Sequence, residues 1–249
     1  MPRTSVAEHT ARVRTLLNAV SQRPVEQVAL SDALDRVLAH PIRTPIDLPP
    51  FRNSQMDGFA VRTVDLARTP SSLPLRGAIP AAPGTPGPLR PGHTVRVMTG
   101  APIPDDADAV VPVEHATVQG TTVTFTRKPD VGEFVREAGS DLAVGEPLLS
   151  DGFRLAPRHL AALAAAGVAS VPVRSQVRVA VISTGSELAA PGELLAPGQI
   201  YDANGPALAA AVRTADALLV DEHRVVDDTA AFARALDASC AAGAEILLT

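Results

Sequence analysis

Val177-Arg178-Val179-Ala180-Val181-Ile182-Ser183-Thr184-Gly185-Ser186-Glu187-Leu188 reads as a nearly continuous apolar strand running into a glycine-containing turn. A strand apolar on both faces belongs to a parallel sheet covered by helices, because a solvated face would carry polar residues. Downstream, the pattern predicts a helix from Pro206, a strand over 217–220, a helix over 229–242 and a strand over 244–248. Alternating β and α elements of this kind predict a doubly wound α/β domain over 175–249. Its last strand runs to Thr249, where a further βα loop is expected, so that domain reads as truncated.

Upstream the character changes twice. Residues 1–45 and 140–174 both carry helical signals. Ser5 and Glu8 are spaced as a capping box, and Val6, Val13, Leu16, Leu17 and Val20 fall on one helical face. An apolar strand over 25–30 leads to a second cap at Ser31 and a predicted helix over 31–39. Pro41, Pro45, Pro49 and Pro50 exclude helix beyond that point. Another helix is predicted from Pro157 to a stop at Gly167. Between these parts, residues 46–139 predict an inserted small β domain, barrel or sandwich. Period-two alternation marks Thr94-Val95-Arg96-Val97-Met98 and Thr122-Val123-Thr124-Phe125. Seven of the 23 prolines lie between Pro70 and Pro91, a stretch that reads either as part of this domain or as a linker.

Composition narrows the function classes. With 46% hydrophobic and 20% charged residues in 249, the chain can bury a core, which excludes wholesale disorder. A formal charge of −5 gives no general attraction to nucleic acid or to anionic membrane, so neither is expected as a partner. No run of about 18 apolar residues is present to span a bilayer. The start lacks the apolar stretch of a secretory signal, and the single Cys240, read as core, fits a reducing cytoplasm. Lys128 is the only lysine, and Trp is absent.

Five segments could carry chemistry. Ser54, Met56, Asp57 and Gly58 lie in a tight turn, with Gly58 available for positive φ and Asp57 at the tip; an ordinary turn with a solvated acid is the alternative. Thr99 and Gly100 end a strand with a hydroxyl and amides suited to an anion, before the acidic run Asp105, Asp106, Asp108 and Glu114, read as a solvated loop. Thr184, Gly185 and Glu187 stand at the carboxyl end of a parallel strand, where ligands of open α/β sheets bind. Asn204 is placed to cap the next helix. Asp227-Asp228 precedes a helix as either cap or Mg²⁺ ligands, and Arg136 to Asp141 adds an acidic tip. The six histidines lack metal-ligand spacing.

Singly these motifs are weak; their order is specific. PPFRNSQMDGFAV (49–61), MTGAPIPDDADAVVPVE (98–114), REAGSDLAVGE (136–146), VRVAVISTGSEL (177–188), GQIYDAN (198–204) and VVDD (225–228) together resemble the molybdopterin molybdenumtransferase family, of the bacterial MoeA type and similar to the E domain of gephyrin. The resemblance runs from about Val6 to Thr249. It implies Mg²⁺-dependent insertion of molybdate into adenylylated molybdopterin with release of AMP, in molybdenum cofactor biosynthesis. It carries catalytic positions over to Asp57, Thr99, Asp141 and Glu187, with Glu187 and Asp227 as metal ligands. Ser54, Met56, Gly58, Gly100, Thr184, Gly185 and Asn204 carry over as substrate-binding positions. It also implies that 1–45 and 140–174 form one helical domain with the β domain of 46–139 inserted between them, before the α/β domain of 175–249. The implied assembly is an elongated cytoplasmic homodimer, whose active cleft lies between the β domain of one subunit and the α/β domain of the other, supplied by a molybdopterin adenylyltransferase upstream.

The chain departs from the family pattern at four motif positions: Ser186 where Asp is common, Ser140 where Glu is common, Phe59 where Tyr is common, and Arg52 for a frequent Asp. After Thr249 the family continues into a Gly-Gly-Val-Ser-type phosphate loop, an acid, several lysines and a C-terminal β domain. The chain therefore reads as the N-terminal portion of such an enzyme, expected to be inactive by itself. A non-catalytic dimerisation or scaffold module of the same family is the alternative.

Overall fold

The computed structural model describes residues 4–249. In chain order, α1 (Val6–Leu17) precedes β1 (Val25–Ala29), and the short strands β2 (Ile42–Arg43) and β3 (Asn53–Ser54) lead to β4 (Gly58–Val61) and β5 (Ser71–Ile79). Next come β6 (Thr94–Val97), β7 (Ala109–Pro112), β8 (Ala116–Gln119), β9 (Thr122–Phe125), β10 (Val135–Arg136) and β11 (Pro147–Leu149). The remainder is α2 (Pro157–Ala165), β12 (Ser170–Arg174), β13 (Arg178–Thr184), β14 (Leu188–Ala189), β15 (Ile200–Tyr201), α3 (Asn204–Thr214), β16 (Leu218–Val225), α4 (Thr229–Ala241) and β17 (Ile246–Leu248). Among the described residues no helix is long and apolar enough to cross a membrane.

The chain forms two compact units. One runs up to His40 and takes in Ser150–Leu160 and Ala169–Thr249; the other comprises Pro41–Leu149 and Ala161–Val168. The second is built on a six-stranded mixed sheet of order β7-β4-β6-β5-β9-β8. Its central strand β4 is buried on both faces, so its alternating side chains feed two cores. Ala60 joins Val95, Val97 and Val110 on one side. Phe59 and Val61 join Val111, Val123 and Phe125 on the other, with Phe59 and Phe125 edge to face at 5.9 Å. The proline-rich stretch is the nine-residue β5 over its first part, parallel to β6 and antiparallel to β9.

Gly58 does not take the positive φ expected of it. Its requirement is proximity: a Cβ there would lie 2.3 Å from the Val111 carbonyl oxygen and 2.9 Å from Val110 Cγ1. Glycine lets β4 press against β7 at the residue following Asp57.

In the other unit, the β13–β16 and β13–β17 pairs are parallel, giving the order β16-β13-β17. Val179 and Val181 pack with Val212 of α3, Leu219 and Ile246. The capping box forms as expected: Ser5 Oγ accepts from the Glu8 amide at 3.2 Å and Glu8 Oε2 from the Ser5 amide at 2.8 Å. The apolar face of α1 is exposed, however, with no buried residue in the helix.

Three expectations are corrected. Residues 31–39 form no helix: a 3₁₀ turn at Leu30–Asp32 gives way to Asp35 at φ 62°. The Leu38 and Ala39 amides then donate to Phe153 and Pro172 carbonyls, so distant strands take the bonds a helix would have made. The strand expected over 217–220 extends to Val225, because Asp221 to Val225 continue the parallel ladder with Ala180 to Thr184 of β13, while their polar side chains are tolerated on an edge strand. Cys240 is exposed, since α4 turns Ala235 and Ser239 inward.

The packing at β4 yields a direct test. Gly58→Ala should lower the unfolding free energy in urea by about 3 kcal/mol, since the new methyl meets backbone that cannot rotate away. Gly87→Ala, in open space without positive φ, should stay within about 0.5 kcal/mol.

Candidate functional site

In the β-rich unit, two loops interlock. Ser54 and Asn53 of β3 pair with Val135 and Arg136 of β10. The Ser54 amide donates to the Ala101 carbonyl at 3.0 Å, and its own carbonyl accepts from the Gly100 amide at 2.8 Å. The Ser54 hydroxyl, almost wholly buried, donates to the Met56 carbonyl at 2.6 Å and so closes the turn from within. This construction presents Asp57 at the exposed tip. Asp57 Oδ1 accepts from the Thr99 amide at 2.7 Å and from the Thr99 hydroxyl at 2.9 Å. The amide and then the hydroxyl hold the Asp57 carboxyl below the usual carboxylate range, with a smaller pull from the Arg96 charge.

These bonds correct the reading of the Thr99–Gly100 turn as a set of free anion-binding amides. The Thr99, Gly100 and Ala101 amides are taken by Asp57, Ser54 and Met98 respectively. Gly100 supplies positive φ (79°) for that turn. Of the acidic run, Asp108 is structural, accepting from the Thr63 amide at 2.7 Å and hydroxyl at 2.9 Å.

A depression of 310 Å³ opens beside this turn, lined by Ser54, Thr99, Gly100 and Arg136 among others. Arg136 donates to Asp141 Oδ2. That bond holds the Asp141 carboxyl below its ordinary range and the guanidinium above its own. Five expected positions (Ser54, Met56, Asp57, Thr99 and Gly100) thus meet in one pair of loops, and Asp141 reaches them through Arg136. Arg136 appeared in sequence only as the start of an acidic tip; its place opposite Asn53 across β3 and β10 carried no local signal.

In the α/β unit, Thr184, Gly185, Ser186 and Glu187 follow the carboxyl end of β13. A Cβ on Gly185 would lie 2.9 Å from both Glu187 carboxylate oxygens, so glycine leaves room for that carboxylate to fold over the strand end. Asp227 and Ser186 clasp each other: the Ser186 amide donates to Asp227 Oδ2 at 3.2 Å, and the Asp227 amide to Ser186 Oγ at 3.1 Å. The adjacent Asp228 is the cap of α4, accepting from the Ala231 amide at 2.7 Å. The Asp pair therefore divides into a structural cap and a residue held at the Glu187 turn. Asn204 does not cap α3 with its side chain. Buried Asp202 does so, its Oδ1 accepting from the Asn204 and Gly205 amides at 3.0 Å each. Its spacing two residues before Asn204 was the available signal.

Among the described residues no three His, Cys, Asp or Glu side chains gather as a metal cage. Asp227, from the loop before α4, clasps Ser186, the neighbour of Glu187; carboxylates are the donor type of Mg²⁺, which takes one or two from protein and fills its shell from water and substrate phosphate.

Two family models match the chain. Residues 4–167 match the family model of the MoeA N-terminal region (domain I and II), and residues 180–249 that of the "Probable molybdopterin binding domain". Molybdopterin molybdenumtransferase 2 of Mycobacterium tuberculosis H37Rv is 41% identical over 98% of this chain and 60% of its own length. The molybdopterin molybdenumtransferase of Synechococcus elongatus is 35% identical over 98% of this chain and 62% of its own. The crystal structure of the molybdopterin biosynthesis MoeA protein from Pyrococcus horikoshii OT3 superposes with a TM-score of 0.81 at 29% identity, over 95% of this chain and 64% of that one. The chain thus spans about three fifths of the length of these relatives.

The Asp57–Thr99 contact predicts a titration. In Thr99→Val the hydroxyl donor is lost while the amide remains, so the Asp57 carboxyl should titrate at higher pH than in the wild type, yet still below an unperturbed aspartate. Carboxyl-carbon NMR across an acid titration reads this directly, and an unchanged curve would refute the assignment.

Proposed function

The chain belongs to the MoeA family, and from that premise we propose that it serves molybdenum cofactor biosynthesis, in the insertion of molybdate into adenylylated molybdopterin with release of AMP. The observation that supports this most is the pairing of an ionised Asp57 with an arginine-bearing depression at the same loop junction. A substrate joined by a phosphoanhydride is anionic, and Arg136 offers the planar, permanently charged group that matches phosphate oxygens. Asp141 fixes the direction of that guanidinium through its hydrogen bond.

Thr99 has a single hydroxyl proton, and it is directed to Asp57. Toward a substrate Thr99 therefore acts as an acceptor, not the donor that residue type alone would offer. Asp57, held in its ionised form, orients that hydroxyl and accepts protons or hydrogen bonds; it does not supply protons near neutral pH. No side-chain nucleophile is needed, because the dithiolene sulfurs of the substrate bind molybdenum themselves. Glu187 and Asp227 would hold Mg²⁺. The ion, when bound, neutralises phosphate charge and assists departure of AMP. Thr184, Gly185 and Asn204, beside Glu187 or at the start of α3, bind substrate in this reading, as do Ser54, Met56 and Gly58 around Asp57.

We place the protein in the cytoplasm, receiving its substrate from a molybdopterin adenylyltransferase, and acting as a homodimer without nucleic-acid or membrane partners. The exposed apolar face of α1 supports self-association: Val6 is 85% and Leu16 76% exposed. Light scattering should give twice the chain mass, and Leu16→Glu should shift it toward the monomer.

The decisive assay is molybdate- and Mg²⁺-dependent AMP release from adenylylated molybdopterin. Asp57→Asn should lower the rate about a hundredfold, the scale of a lost electrostatic or proton-accepting group. Glu187→Gln should raise the Mg²⁺ concentration required. An unchanged rate in Asp57→Asn, measured in a protein that spans the full length of these relatives, would count against this reading.

A further inference from the structure

Beyond the depression with Arg136, the β-rich unit contains a larger cavity of 710 Å³. Gly100 lines both, so the Thr99–Gly100 turn is their common wall. The larger cavity falls within the size range of small-molecule sites, about 300–1,000 Å³. Its lining is mostly small and apolar: the alanine- and proline-containing loop over 81–86, buried Ile103, and Phe51, whose side chain is 47% exposed. Two charged residues complete it. Arg52 is engaged already, donating to Glu137 Oε1 at 2.9 Å and to the Ala107 carbonyl at 2.8 Å. The exposed Asp105 carboxylate accepts no hydrogen bond from the described residues.

An apolar cavity with an aromatic side chain and one unengaged carboxylate favours a particular ligand chemistry. It has room for a planar ring system, which Phe51 would contact by stacking. The carboxylate takes two parallel N–H donors on one edge, since an ionised carboxyl accepts in bidentate fashion. We propose that this cavity binds the 2-amino-4-oxopyrimidine edge and bicyclic ring of a pterin, with Phe51 against the ring and Asp105 accepting from N3–H and the 2-amino group. The identity of the ligand rests on the molybdopterin reading above; the cavity and its chemistry do not. Adenine, the other flat ring of an adenylylated substrate, offers one amino donor beside a ring acceptor and so does not satisfy a carboxylate in the same way. With the pterin seated here, substituents passing Gly100 reach the depression that contains Thr99 and Arg136.

Equilibrium binding tests the proposal without turnover. The probe is 6-hydroxymethylpterin, followed by its own fluorescence, which the chain, lacking Trp, leaves clear; AMP is titrated in parallel by calorimetry. Pterin binding should be saturable and weaken about tenfold in Phe51→Ala, the scale of a lost stacking partner. It should weaken about tenfold in Asp105→Asn, whereas AMP binding should not change there. Ala82→Leu, an exposed position on the loop lining the cavity, should also weaken pterin binding and guards against a folding defect in Phe51→Ala. Pterin affinity insensitive to all three substitutions, absence of saturable pterin binding, or AMP as the ligand whose affinity falls in Phe51→Ala would each overturn the proposal. Pterin binding with this pattern, together with no AMP release by a protein that spans the full length of the relatives and carries the same residues, would instead refute the transferase reading alone.

Discussion

Asp57 Oδ1 receives two hydrogen bonds from a single residue, the amide and the hydroxyl of Thr99, and the geometry of the loop pair in the β-rich unit follows from that contact. It requires the 53–57 turn and the 99–102 turn to lie side by side. The Ser54–Ala101 and Gly100–Ser54 backbone bonds hold them so. It requires β4 to begin immediately after the acid and pass close to β7, which only Gly58 permits. It also requires positive φ at Gly100, so that the turn brings Thr99 back over the tip. The exposed acid is therefore positioned by buried parts: β4 lies between the two cores of the unit, and Ser54 is sealed beneath the loop.

In the α/β unit, the turn after β13 uses the same economy with different residues. Ser186, which stands where the family often has Asp, meets Asp227 through two reciprocal bonds and ties the strand-end turn to the loop before α4. A hydroxyl serves as well as a carboxylate in accepting from the Asp227 amide, and it avoids setting a third negative charge beside Glu187 and Asp227. The departure from the family pattern thus keeps the loop connection while changing the local charge. Asp228 and Asp202 take the capping duties, which frees the neighbouring Asp227 side chain and Asn204 for ligand.

What could be read from the sequence was what depends on neighbours in the chain. The capping box at Ser5 and Glu8, the alternation over Thr94 to Val97, and the βα alternation from Arg178 onward all appear in the structure, because each is a periodic or short-range signal. The misread segments depend on distant partners. Residues 31–39 show helical spacing, yet their backbone groups pair with Phe153, Leu155 and Pro172, more than a hundred positions away. Gly58 was recognised as special for the wrong reason, since the obstacle is a carbonyl on β7. Arg136 was passed over because its pocket is assembled from β3, β10 and the Thr99 turn. The order of the motifs singles out candidate site residues; their roles as acceptors, caps or clasps require the three-dimensional bonds.

Those roles restrict the chemistry. A carboxyl held ionised by two donors is a poor acid, and a threonine whose only proton points at that carboxyl is a poor donor. Asp141 is likewise held ionised by Arg136. The loop pair of the β-rich unit is therefore organised to manage charge, with one directed guanidinium for anionic oxygens and two acids that remain charged. Loss of an oxo group from molybdate as water consumes protons, and neither Asp57 nor Asp141 is arranged to deliver them. In the proposed reaction those protons come from solvent or from the thiols of the substrate itself, since a carboxyl held ionised is a poor acid and, with its lowered pKa, a weak base as well. The demand on the protein is then orientation and charge compensation, which rigid loops on a doubly packed strand are suited to provide.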